Sequence, residues 1–261
     1  MASAPPQPQS LPVFYKDLVP LNVEQHKNFR VLNAEAAPYL IHEHAVPLTV
    51  DEFTQCQRHL PIVFSAGDAP VPLALMGLNE GVNTIVDAEG KLRNPNGYVP
   101  AYIRRYPWML ARLDPSRDEL SLCFDPSAPQ VGEFEDGQPL IAEDGAASDI
   151  TKEILAFCEN FEQAAQRTQQ FMVDLVGSGL LMEGELTIQS PESDKPFIYR
   201  GFQMVNEDKL RELRGDQLRK FNQNGMLPLL YAHLFSLQVM REIFAAQQQM
   251  GVGPVPVLQP A

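Results

Sequence analysis

Cysteine, tryptophan and positive charge are all scarce in this chain of 261 residues. The three cysteines, Cys56, Cys123 and Cys158, are odd in number, far apart and set among apolar neighbours. That is how small buried hydrophobes are used in a reducing compartment, and it excludes a disulfide framework. Lysine and arginine number 20 against 33 aspartates and glutamates, a net charge of −13. Such a field repels phosphate backbones and anionic lipid surfaces, so nucleic acid is excluded as the expected partner. The most apolar stretch, Met226 to Met240, falls short of the roughly 20 residues a bilayer needs and is interrupted by Pro228 and His233, so no membrane span is expected. The first ten residues carry neither a basic residue nor an apolar run, which argues against a secretory signal and gives an expectation of cytoplasmic residence.

Signatures of common chemistry are missing as well. There is no G-x-G-x-x-G opening a helix, no phosphate loop, no G-x-S-x-G elbow, no C-x-x-C pair and no H-E-x-x-H. Gly177-Ser178-Gly179 follows a helical pattern rather than a strand and reads as a helix stop. His42 and His44 are two residues apart, on one face of an extended segment, but a third ligand is absent, so they read as part of a polar edge strand. Glu133, Glu135 and Asp136 lack the alternating oxygen ligands of a calcium loop. No metal, no cofactor and no catalytic residue is expected, and the balance is against an enzyme.

What the chain does contain is enough apolar content, 44%, to bury a sizeable core. Residues 1–12 and 250–261 are rich in proline, glutamine and small residues and read as disordered tails. Residues 13–124 read as a β-rich half, with short runs at Tyr39–His42, Pro61–Ser65, Pro72–Gly77, Thr84–Val86 and Glu119–Phe124, a reversal at Asp87–Gly90, and one helix near Thr49–Arg58 capped by Thr49 or Asp51. Residues 125–147, acidic and proline-rich, read as an irregular connector. Residues 148–249 form a helical half. Apolar residues from Ile154 to Leu175 recur every three or four positions, which predicts a helix over 149–176.

A hairpin over 185–204 follows, turning at Ser190–Pro196. Next come a short helix capped by Asn206 or Asp208, another running to Asn224-Gly225, and a helix from Met226, apolar on nearly every side and therefore expected to be buried. The fold class is α+β, a mixed or mostly antiparallel sheet from the N-terminal half plus the 185–204 hairpin, covered by C-terminal helices. The two halves are expected to pack as one domain.

The densest chemistry lies in Tyr98-Val-Pro-Ala-Tyr-Ile-Arg-Arg-Tyr-Pro-Trp108. Tyr98, Tyr102, Tyr106 and Trp108 offer rings, and Arg104 and Arg105 offer guanidinium forks for a carboxylate or phosphate. Two readings stay open: a ligand clamp, or rings filling a seam while an arginine pairs with a carboxylate such as Glu119 or Asp125. His233, within the Met226 helix and near Tyr231, also has two readings: a buried neutral histidine bonded to the sheet, or a ligand-facing one.

This segment, together with Pro72–Leu78, Val86–Gly90, Leu122–Asp125, Gly201–Leu210 and Asn224–Leu234, resembles the bacterial SapC family over roughly residues 11 to 244. The family pattern more often has phenylalanine at the place of Trp108. Its name comes from a surface-layer locus, which implies cell-surface association as a minority alternative to the cytoplasm. Its gene neighbourhoods imply a flavin-dependent halogenase-like enzyme as a partner. The resulting expectation is a non-catalytic binding or accessory protein. It would recognise a protein partner or a small amino-acid-like ligand that bears a carboxylate, through Tyr98, Tyr102, Arg104, Arg105, Tyr106, Trp108 and His233. The alternatives are an enzyme whose pocket is assembled from Arg105, Tyr231 and His233, or a surface-layer protein.

Overall fold

A computed structural model describes residues 11–113, 119–189 and 196–252. Its strands are β1 (Val19–Pro20), β2 (Phe29–Val31), β3 (Ala45–Pro47), β4 (Ile62–Ser65), β5 (Pro72–Leu75), β6 (Trp108–Ala111), β7 (Ser121–Phe124), β8 (Val131–Glu133), β9 (Gln138–Pro139), β10 (Leu181–Glu183), β11 (Leu186–Ile188), β12 (Phe197–Tyr199) and β13 (Phe202–Val205). Its helices are α1 (Phe53–Cys56), α2 (Ala101–Arg105), α3 (Asp149–Ser178), α4 (Glu207–Arg211), α5 (Gly215–Gln223), α6 (Met226–Ser236) and α7 (Met240–Gln249). Strands pair antiparallel throughout these sheets, and the class is α+β. The chain divides into two compact units: the stretch up to Ala34 with Arg105–Glu159, and Glu35–Arg104 with the chain from Asn160 on.

In the first unit β7 is the middle strand of β1-β7-β6, pairing Phe124 with both Val19 and Trp108. A second sheet, β8-β2-β9, takes its two outer strands from residues that read as an irregular connector. Proline-rich sequence hid it, yet Pro139 lies in an edge strand, where a missing N–H costs no ladder bond. Gly137, at φ +98°, turns β8 into β9 where a Cβ would meet the Val31 carbonyl at 2.7 Å. Trp108, Leu110, Phe124, Val131, Leu140 and Cys158 form the core, with Ile150, Ile154 and Leu155 from the start of α3 packed against it. Ser148 caps that helix by accepting from Thr151 N–H at 3.3 Å.

The second unit holds the five-stranded sheet β10-β13-β4-β5-β3 and the separate pair β11-β12. Alternation along β4 sends Val63 toward Met240, Ile243 and Phe244 of α7. Phe64 goes the other way, its ring 6.5 Å from Phe171 of α3 and 4.9 Å from His233 of α6. Asn206 caps α4 through Lys209 N–H, as its sequence suggests.

Four local expectations change. Tyr39–His42 is a 3-10 turn over Pro38–Leu40, not a strand, because Pro38 fixes helical φ and the segment bonds back to the Gly90 turn through Ala37 N–H. Accordingly, His42 and His44 precede β3 instead of lying in an edge strand. Thr84–Val86 contributes a single bridge, Val86 to Leu92, around the expected Asp87–Gly90 reversal. The run Phe197–Met204 is broken at Gly201, φ +93°, so β12 pairs with β11 while β13 joins the central sheet. Residues 190–195 of the expected Ser190–Pro196 turn and most of both tails lie outside the described residues.

Candidate functional site

The Tyr98–Trp108 segment straddles the division of the chain, and each part has its own surroundings. In the second unit a carboxylate governs it. Glu52 is 6% exposed, and its Oε1 accepts from Ala101 N–H at 2.6 Å and Tyr98 O–H at 2.9 Å. Its Oε2 accepts from Thr49 N–H at 3.0 Å and Thr49 O–H at 2.8 Å. One buried carboxylate therefore closes the capping box over Val50–Glu52 and also caps α2.

Burial and the Glu52 charge push the Tyr98 hydroxyl well above its usual pKa, and the same two causes raise the Cys56 thiol. Tyr102 is buried, tilted against Phe161 at 6.4 Å. Arg104 is exposed, and its Nε donates to the Val99 carbonyl at 3.1 Å. Sequence reading passes over Glu52, although the Thr-x-x-Glu spacing from Thr49 is the signal for it.

Arg105, Tyr106 and Trp108 belong to the first unit and are buried. The Arg105 guanidinium lies 6.0 Å from the Tyr15 ring centre. Tyr106 meets Tyr15 and Phe14 edge to face at 5.2 and 6.1 Å, and its hydroxyl is 3.5 Å from Asp125. Burial first, then the Asp125 charge, pushes Tyr106 up to about 12. Burial works against ionisation of Asp125, but donation from Lys16 N–H at 2.7 Å and Ser127 N–H at 2.8 Å holds it below the usual carboxylate range. Trp108 packs its ring on Phe124 at 5.6 Å, and its carbonyl accepts the Tyr15 hydroxyl at 2.6 Å. The carboxylate beside this part of the segment is thus Asp125, one of the two that the sequence offered.

His233 is fully buried. Its Nε2 accepts from Val205 N–H at 3.0 Å, so Nδ1 carries the hydrogen and donates to the Ile62 carbonyl at 2.7 Å. Ser236 completes the stitch, accepting from Ile62 N–H at 2.8 Å and donating to the His233 carbonyl at 2.6 Å. Both ring nitrogens serve the β4 and β13 backbones, and burial lowers the imidazole to about 4. Tyr231 stacks on Phe235 at 5.9 Å, and Phe235 is 59% exposed, so α6 shows one face to solvent rather than being enclosed all round.

A groove of about 850 Å³ opens in the first unit beside β2 and β9. Three cations line it, Lys27, Arg30 and Lys152, together with the half-buried rings of Phe29 and Phe134 and the acidic loop Glu143–Asp144. Among the described residues no three His, Cys, Asp or Glu side chains gather where they could hold a metal ion. Likewise, no helix among them is long and apolar enough to cross a membrane.

Comparison with curated proteins and with solved structures gives no match. The model of one protein family, SapC, matches residues 21–243. That span contains the segments through Leu234 on which the resemblance rests, and it covers most of both compact units. The chain belongs to the SapC family.

Proposed function

We propose that the protein is a non-catalytic binding or accessory protein that recognises a carboxylate-bearing small molecule or protein segment, with Arg104 as the residue that meets the carboxylate. The observation that carries this reading is the contrast within the arginine pair. Arg105 is 5% exposed, whereas Arg104 is exposed on a helical turn whose start is held by Glu52 through Ala101 N–H and the Tyr98 hydroxyl. A guanidinium on a fixed platform loses less side-chain entropy on binding, and its planar fork matches a carboxylate. Half-buried Tyr98 supplies an adjacent ring.

The groups best suited to acid, base or nucleophilic work are otherwise engaged, which supports binding over turnover. His233 spends both nitrogens on backbone, and burial raises the Cys56 and Cys123 thiols. Cytoplasmic residence goes with this reading, as does a protein partner of the halogenase-like kind that the family's gene neighbourhoods imply.

The test is a fluorescence-polarisation screen of labelled acidic peptides and aromatic carboxylates, with hits measured again on Arg104→Ala. A charge-assisted pair contributes about 1.5–3 kcal/mol, so affinity should fall at least about tenfold. Hits that bind Arg104→Ala as tightly as the parent, or a turnover that survives this substitution, would remove the reading.

A further inference from the structure

We infer that the groove of the first unit is a second binding site, for a short zwitterionic peptide. This goes beyond the Arg104 reading and shares no residue with it. At about 850 Å³ the open groove has room for a ligand larger than a single amino acid. Its charge is balanced: Lys27, Arg30 and Lys152 stand against Glu143, Asp144 and Asp149. A purely anionic ligand would meet the three carboxylates, and a purely cationic one the three cations. A ligand carrying one charge of each sign satisfies both.

Internal pairing leaves the two ends unequal in freedom. Lys152 is paired to Asp149 at 3.0 Å, Arg30 donates to the Gly137 carbonyl at 2.8 Å, and Asp144 accepts from Ala146 N–H at 3.0 Å. Lys27 and Glu143 carry no ion pair among the described residues. Lys27 is therefore the group for the peptide carboxylate, with Arg30 three residues further along, and Glu143 is the group for its ammonium.

The rings of Phe29 and Phe134 give an apolar side chain something to pack on. Phe29 is itself held in place, 4.7 Å from His26 and 6.0 Å from Phe124, so this wall is preformed.

The experiment is an NMR titration of the full chain with the tripeptide glycylphenylalanylglycine, alongside its C-amidated and N-acetylated forms. The free tripeptide should shift amide signals of residues 27–30 and 141–152. Each capped form should bind at least about tenfold more weakly, as one charge-assisted contact is worth that much. Lys27→Glu and Glu143→Lys, both at exposed positions, should impose the same loss, while Lys220→Glu, an exposed cation of the second unit outside both sites, leaves tripeptide binding unchanged. Signals unmoved by any form, capped peptides binding as well as the free one, or groove variants binding normally would each overturn the site. None of these outcomes touches the Arg104 reading, which Arg104→Ala tests by itself.

Discussion

His233 is neutral in the folded chain, with its hydrogen on Nδ1 and none on Nε2, because burial lowers it from 6.5 to about 4 and Val205 N–H needs the Nε2 lone pair. In the unfolded chain the imidazole is charged below about pH 6.5. The folded pKa is the depressed one, so the stability it contributes is complete above pH 6.5. That stability is lost as pH falls toward 4, by up to about 3 kcal/mol at 1.36 kcal/mol per unit. Urea unfolding across this window should show the loss, and His233→Gln should flatten it relative to the parent; parallel curves would contradict the assignment. Glu52 makes the complementary case. Glu52→Ala strands Thr49, Tyr98 and Ala101 donors in the interior, and each unsatisfied group costs about 1–3 kcal/mol. We expect about 3 kcal/mol of lost stability in chemical denaturation, and a loss below about 1 kcal/mol would mean that water replaces the carboxylate freely.

Among the elements, turns fixed by glycine separate two costs that sequence cannot tell apart. Gly90 and Gly201 both have positive φ, +82° and +93°. A Cβ at Gly90 would also meet Pro38 N at 2.5 Å, whereas one at Gly201 meets nothing within 4 Å. Gly201→Ala should therefore cost only the left-handed penalty of about 1–2 kcal/mol. Gly90→Ala should cost clearly more, and equal shifts in thermal melts would contradict the close approach. Helix α6 offers a second comparison, since Leu230 is fully buried and Phe235 is exposed. Leu230→Ala should destabilise by about 2–5 kcal/mol and Phe235→Ser by less than about 0.5 kcal/mol.

Elements with a local signal were legible: the repeat from Ile154 to Leu175 became α3, Asn206 became a cap, and Asp87–Gly90 became a reversal. Those set by distant partners were not. The pairing of β2 with β8 and β9 joins residues about a hundred positions apart, and Tyr98 reaches Glu52 across 46. The solvent face of α6 was hidden because Tyr231 and Phe235 are apolar by type, and only packing decides which side of such a helix is covered.

For the molecule as a whole, the net charge of −13 sets the long-range field that the proposed carboxylate ligand would have to cross. That repulsion extends over many ångströms and is screened first, since the Debye length is about 8 Å near physiological salt. The proposed contact with Arg104 would be local and less screened. Raising salt from about 10 to 150 mM should then speed association of an acidic peptide instead of slowing it. Stopped-flow rates that fall with salt would contradict this and point to a basic surface that steers the peptide.

The most direct test of the central claim is calorimetric titration of an acidic peptide into the parent chain, Arg104→Lys and Arg104→Ala side by side. A carboxylate held by a guanidinium fork predicts graded loss, with lysine keeping the charge but not the two parallel bonds and alanine losing both. Equal affinity for all three chains, each folded as judged by its melting curve, would contradict it.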